Sequence, residues 1–319
     1  MKPPGFCLKE VGKDLPVTRV IPDLILALAS EKRAVLKAPP GAGKTTFVPL
    51  ALLAQPWLAG KKIVMLEPRR LAAKACAVHM AGLLGETPGQ TVGYQIRMER
   101  RIGPDTRIEV MTEGILTRRI QADPSLEKVG LVIFDEFHER HLHSDLGLAF
   151  CLEAAEVFNQ NLRILVMSAT LDMAAMSSLM GNAPIIASQG RNYPVVTHYL
   201  PPEAVSRVRR SPYQNQDPYH GLWAACRLAV ERSLAQESGD ILVFLPGVRE
   251  IRHLARELES RMPLNQIEQS GQLDETCLKI SILPLYGNLS RTDQARAIAP
   301  SLPGHRKIVL ATSIAETSL

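Results

Sequence analysis

The sequence predicts an α/β protein of two parallel-sheet units, and three observations carry that prediction. Short runs rich in Val, Ile and Leu recur along all 319 residues. Their hydrophobicity is continuous rather than alternating, as in strands covered on both faces. The stretches between them are long enough for helices and contain good helix formers. An irregular, proline-rich passage then divides the chain.

The expected strands of the first unit are Ala34–Ala38, Lys62–Glu67, Arg107–Met111, Gly130–Phe134 and Leu162–Met167. Those of the second are Asp240–Leu245, Lys279–Leu283 and Arg306–Leu310. Arg70 to Leu84 has helical periodicity, and a further helix starts near Leu222 and leads to the strand at Asp240. Between the units lie Gly190, Pro194, Pro201, Pro202, Pro212 and Pro218, with the basic cluster Arg207, Arg209 and Arg210. The expected divisions are 1–190 for the first unit, 191–220 for the linker and start of the second, and 221–319 for the rest.

Composition narrows the function classes. With 46% hydrophobic and 22% charged residues, the chain matches a globular average rather than a disordered or fibrous one. No apolar run approaches the ~18 residues of a bilayer span; the best candidate, Val20–Ala29, is broken by Pro22 and Asp23. The N-terminus lacks the apolar stretch of a secretory signal, so a soluble cytoplasmic protein without a membrane partner is expected. Cys7, Cys76, Cys151, Cys226 and Cys277 contain no C-x-x-C pair and predict reduced thiols. A net charge of +5 permits a polyanionic partner without demanding one.

The segment Ala38-Pro-Pro-Gly-Ala-Gly-Lys-Thr-Thr46 follows a predicted strand and precedes the apolar run Phe47–Leu53. Phosphate oxygens need converging backbone N–H groups, and only small residues let the backbone come that close. Pro40, Gly41, Ala42 and Gly43 supply the loop, and the following helix offers its positive end. Lys44 can reach the β- and γ-phosphates, the Thr45 hydroxyl can take a place on Mg2+, and Thr46 completes the first turn. The leading glycine of this P-loop is replaced by Ala38.

Asp135 and Glu136 end the apolar run Leu131–Phe134, at the strand edge where ligands of α/β sheets bind. With a P-loop upstream, Asp135 would hold Mg2+ and Glu136 would orient and polarise the attacking water. The alternative is a pair of helix-capping acids. His138, Glu139, His141 and His143 invite a zinc reading. However, H-E-x-H is one residue short of the motif that puts two ligands one turn apart around a base, and no supporting ligand cluster is apparent.

Asp135-Glu136-Phe137-His138 resembles the D-E-x-H signature of the DEAH-box branch of superfamily 2 helicases. Glu67–Ala73 resembles motif Ia, Thr112–Thr117 the motif after it, and Ser168-Ala-Thr170 motif III. Phe244–Gly247 is similar to motif IV and Ala311–Ser318 to motif V. Seven ordered matches from Ala38 to Leu319 make the resemblance specific. Phe137, the segment Leu15–Pro22 and Gly190–Val195 resemble the bacterial HrpB-type branch.

The resemblance implies P-loop NTPase chemistry in two RecA-like domains, with ATP between them and single-stranded RNA across their tops, moved 3′ to 5′. It implies that His138, Ser168 and Thr170 join Lys44, Asp135 and Glu136 in coupling and catalysis. It implies RNA contacts from Arg69, Arg70, Thr112, Gly114 and Thr312, and a nucleotide-facing role for Glu316, Thr317 and Ser318. Simpler readings stand beside these: Arg69 and Arg70 as solvated charges at a helix start, and Ser168 and Thr170 as hydroxyls satisfied by local backbone.

Three departures qualify the resemblance. Ser313 stands where the family usually has Asn. Ile298 stands where many relatives stack an aromatic ring on the base, so base stacking is expected to be weak. By the same resemblance the sequence reaches only into motif V at Leu319, short of the arginine fingers of motif VI, so the second unit is expected to be incomplete. Such fingers supply about 10³–10⁵ in rate. The expectation is therefore an ATP-dependent RNA helicase core that binds Mg–ATP, hydrolyses it poorly alone, and awaits a missing C-terminal region or partner. The rival readings are a non-hydrolysing ATP-gated nucleic-acid-binding module and a motor that acts on DNA.

Overall fold

Each apolar run of the first unit forms a strand whose successive side chains enter opposite hydrophobic layers. The computed structural model describes residues 12–170, 172–190, 195–200, 220–261 and 279–316. The chain divides into two compact units, 1–193 and 194–319. Of the expected linker, 191–194 and 201–219 lie outside the described residues, and 195–200 has no regular structure.

In the first unit, β1 (Arg33–Lys37), β2 (Lys62–Leu66), β3 (Val92–Ile96), β4 (Glu99–Arg101), β5 (Ile108–Met111), β6 (Val129–Phe134), β7 (Arg163–Ser168) and β8 (Ile185–Ala187) form one sheet. Its order is β4-β3-β5-β2-β6-β7-β1-β8. Every neighbouring pair is parallel except β3 and β4. Along β2, Ile63 and Met65 pack on one face and Val64 and Leu66 on the other. The first layer is completed by α1 (Ile21–Ser30), α2 (Lys44–Leu52) and α3 (Arg70–Leu83), through residues such as Leu24, Phe47 and Met80. The second is completed by α4 (Glu113–Ala122), α5 (Leu142–Val157) and α6 (Met173–Leu179), through Leu116, Leu148 and Met176. Two-sided burial is the reason the runs do not alternate.

Three strands depart from the sequence expectation. In β3 the pattern V-G-Y-Q-I buries Val92, Tyr94 and Ile96, and a Cβ on Gly93 would lie 2.4 Å from the Arg101 carbonyl oxygen. The glycine that breaks the apolar run is what lets β4 approach. The strand β4 is a charged antiparallel edge, which blunts pairing with other chains. The strand β8 has only three residues, too few to leave a periodic signal.

In the second unit, β9 (Ile241–Phe244), β10 (Lys279–Leu285) and β11 (His305–Ala311) form a parallel sheet in the order β10-β11-β9. Helices α7 (His220–Gln236) and α8 (Val248–Arg261) bury Trp223, Val230, Ile251, Leu254 and Leu258 with Ile308 and Leu310 of β11. Helix α9 (Arg291–Ile298) starts at Ser290, whose hydroxyl accepts the Asp293 backbone N–H at 3.2 Å. On β9, Leu242 and Phe244 remain exposed. Among the described residues, no helix is long and apolar enough to cross a membrane.

Candidate nucleotide site and nucleic-acid interface

Parallel strands deliver all their carboxyl ends to one edge, and the expected site residues of the first unit follow those ends. Pro40, Gly41, Ala42 and Gly43 form the turn between β1 and α2, whose first turn holds Lys44, Thr45 and Thr46. Asp135 and Glu136 follow β6, Ser168 ends β7, and Thr112 follows β5. Arg69 precedes α3 and Arg70 begins it.

The loop has the backbone its glycines permit. Gly41 has φ +73° with no atom within 4 Å of where a Cβ would stand, so its approach side is open. Gly43 has φ +90°, and a Cβ there would meet the Leu15 side chain at 2.8 Å. The preceding segment braces the turn, because the Val17 N–H donates to the Ala42 carbonyl at 3.1 Å.

Lys44 is buried, and its Nζ lies 2.5 Å from Glu136 Oε1. The Thr45 hydroxyl donates to Asp135 Oδ2 at 2.5 Å, and the Glu136 N–H donates to Asp135 Oδ1 at 2.8 Å. Glu136 adopts left-handed backbone, φ 47°, a conformation rare for a residue with a side chain. Its side chain caps no backbone N–H. A one-turn helix, Phe137–Glu139, follows, and Arg140 is again left-handed at φ 51°. Phe137 is buried edge-on against Phe134, with ring centroids 5.9 Å apart. His138 Nδ1 lies 3.3 Å from Glu136 Oε2 without a hydrogen bond.

A carboxyl that pattern reading overlooked belongs to this cluster. Glu67, at the end of β2, is buried against Asp135. Burial, and then the charges of Asp135 and Glu136, hold the Glu67 carboxyl well above the usual carboxylate range. Burial also raises Asp135, against the pull of Lys44. For Lys44, burial alone would lower the pKa, but the Asp135 and Glu136 carboxylates outweigh it and the net direction is up. One ammonium thus faces three carboxyl groups, and protonation of one of them relieves the imbalance.

Toward the other strands, Ser168 is fully buried and Thr170 faces solvent. Gly114, in the first turn of α4, has open space beside its Cα. Arg69 Nη2 lies 3.6 Å from Glu139 Oε1. Glu139 Oε2 in turn lies 2.9 Å from His141 Nε2, so this carboxylate joins an arginine and a histidine. In the second unit, the Thr312 N–H donates to the Leu285 carbonyl at 3.1 Å, just past β11. Glu316 ends the one-turn helix Ser313–Glu316, and Thr317 and Ser318 lie outside the described residues.

A family model described as DEAD/DEAH box helicase matches residues 18–178, half of the chain. The chain belongs to the DEAD/DEAH box helicase family. Within that family it is 47% identical over 305 residues to the ATP-dependent RNA helicase HrpB of Escherichia coli, covering 96% of this chain and 34% of that protein. It is 35% identical over 313 residues to the pre-mRNA-splicing factor ATP-dependent RNA helicase prp22 of Schizosaccharomyces pombe, covering 98% of this chain and 25% of that protein. The crystal structure of the E. coli DEAH/RHA helicase HrpB superposes with a TM-score of 0.79 at 46% identity, over 96% of this chain and 35% of that one. This helicase-family chain therefore spans about a third or less of the curated relatives it matches. Its parallel sheets are of the RecA-like P-loop class.

Two features of this DEAD/DEAH box chain escape motif reading. Glu67 lies inside the segment matched to motif Ia but gains its meaning only from Asp135, which is distant in sequence. Glu139 looks like a surface charge until the fold brings Arg69 beside it. The H-E-x-H spacing singles out Glu139 only for a zinc reading, not for this arginine contact.

Proposed function

We propose that the chain binds ATP with Mg2+ and couples its hydrolysis to 3′-to-5′ movement along single-stranded RNA, as part of the motor core of an RNA helicase. The observation that carries this reading is the convergence, at one sheet edge, of Lys44 and Thr45 on Glu136 and Asp135, with Arg69 and Thr112 on neighbouring strand ends.

The donor set fits the cofactor. A hydroxyl and a carboxylate already in hydrogen-bond contact offer hard oxygen ligands of the kind Mg2+ takes, beside a loop whose Gly41 leaves room for phosphate. Thr45 and Asp135 would hold the ion, which when bound neutralises charge on the phosphate oxygens. Pro40 to Thr46 would wrap the phosphates with backbone N–H groups. Lys44 would trade Glu136 for phosphate oxygens, freeing that carboxylate to orient a water molecule and accept its proton. His138, Ser168 and Thr170 would link this chemistry to RNA, and Glu316, Thr317 and Ser318 would face the nucleotide.

Arg69 and Arg70 would grip phosphates, while Thr112, Gly114 and Thr312 would hydrogen-bond the sugar–phosphate chain. Such contacts carry no base information, so binding is expected to be sequence-neutral and salt-sensitive. The test is steady-state ATPase activity of the chain with and without single-stranded RNA, beside Lys44→Ala. RNA-stimulated turnover that Lys44→Ala abolishes is the expected result. Nucleotide binding without turnover would instead favour a binding module, and stronger stimulation by DNA would favour a DNA motor.

A further inference from the structure

We propose that Glu139 is a positioning residue that occupies Arg69 until RNA arrives, so that an RNA phosphate must displace a carboxylate to reach this guanidinium. The proposal rests on the reading of Arg69 as an RNA contact.

Arg69 stands immediately before α3 at the carboxyl edge of the sheet, with a partly exposed side chain. Glu139 reaches it from the one-turn helix that follows Glu136. Their closest approach, 3.6 Å, is an ion pair but not a hydrogen bond. The facing oxygen, Glu139 Oε1, is buried and makes no hydrogen bond, while Oε2 is engaged by His141. A carboxylate oxygen held this loosely is easy to exchange. A phosphate that takes two guanidinium N–H bonds makes the stronger contact.

The backbone explains why Glu139 stays in place. The turn is bounded by left-handed Glu136 and Arg140, and the Phe137 ring pins it to the sheet through Phe134. The carboxylate is thus presented by a fixed element rather than by a swinging loop. RNA affinity is thereby set by a residue on the turn that bears Glu136 and His138.

The experiment is a two-by-two comparison of the 319-residue chain, nucleotide-free, binding a fluorescein-labelled oligouridylate by anisotropy at low ionic strength. Its members are the unsubstituted chain, Glu139→Gln, Arg69→Ala and the double variant. Glu139→Gln is expected to tighten RNA binding about two- to fivefold, the range of a partly exposed ion pair. Arg69→Ala is expected to weaken it, and in that background Glu139→Gln is expected to change nothing.

A gain from Glu139→Gln that persists without Arg69 would overturn the proposal, because it would report only the loss of a negative charge near RNA. No gain from Glu139→Gln, with Arg69→Ala still weakening binding, would overturn the competition while leaving Arg69 as an RNA contact. No effect of Arg69→Ala would overturn that contact and the proposal with it. If Glu139→Gln fails to fold, Glu139→Asp retracts the carboxylate from Arg69 and must show the same Arg69-dependent gain, or the proposal falls.

Discussion

The Ser144 hydroxyl donates a buried hydrogen bond to the Glu113 carboxylate, joining the first turn of α5 to the first turn of α4. Glu113 stands between Thr112 and Gly114, and α5 begins just after the D-E-x-H turn. The bond therefore ties the backbone of a proposed RNA contact to the element that follows His138. Ser144→Ala would leave a buried carboxylate short of a donor, which costs about 1–3 kcal/mol. Urea unfolding should show that loss. The double variant Ser144→Ala/Glu113→Ala should lose less than the sum of the single variants, and strict additivity would mean that the two side chains are not coupled.

Phe137 makes a comparable argument for the turn itself. Its ring is 2% exposed and meets Phe134 at an interplanar angle of 89°. Edge-to-face contacts add to the burial energy of the rings. Truncation to alanine opens a cavity beneath the residues that present Glu136 and Glu139, with an expected cost of about 3–5 kcal/mol. Phe137→Leu, which keeps most of the volume, should cost clearly less in thermal denaturation. Equal midpoints for Phe137→Ala and the unsubstituted chain would show that the ring is no anchor.

The Glu67 carboxyl gives stability a pH dependence of defined sign. Burial raises its folded pKa above the unfolded value, so between the two the folded state holds a proton that the unfolded state has lost. Stability from this group is fully present below the ordinary carboxylate range and falls as pH rises toward the folded pKa. Glu67→Gln stays neutral at every pH. It should match the unsubstituted chain at about pH 4 and grow progressively more stable than it through the range above the ordinary Glu pKa. Parallel chemical denaturation across that range measures the difference. A gap that does not widen with pH would show that Glu67 is ionised in the folded protein.

How much was legible beforehand follows from how local each signal is. The strands β1, β2, β5, β6 and β7 carry uninterrupted apolar runs because both faces are covered, and that pattern needs no tertiary knowledge. Gly93 interrupts β3, and β4 is charged because it lies at an edge, so neither resembles a buried strand. Lys44, Thr45, Asp135 and Glu136 are legible because phosphate and metal chemistry demands those residue types at strand ends. Glu67 and Glu139 are ordinary acids in sequence. Only the strand order β2-β6 sets the first against Asp135, and only the left-handed turn after β6 brings the second to Arg69.

The same buried cluster adds to the effect of burial on one of two buried cysteines. Cys76, on α3, gives a weak sulfur hydrogen bond to the Thr45 carbonyl at 3.7 Å and is buried. Burial first, and then the Glu67 and Asp135 charges, push its thiol well above the ordinary range. Cys151, on α5, is pushed up to about 12 by burial alone. Only the thiolate reacts, and for a pKa near 12 its fraction at pH 8 is on the order of 10⁻⁴. Iodoacetamide should therefore leave both residues unmodified in the folded chain and label both in guanidinium, as read by peptide mass mapping. Labelling of Cys76 ahead of Cys151 under native conditions would mean that the α2–α3 contact opens without global unfolding, exposing the sulfur beneath the P-loop helix.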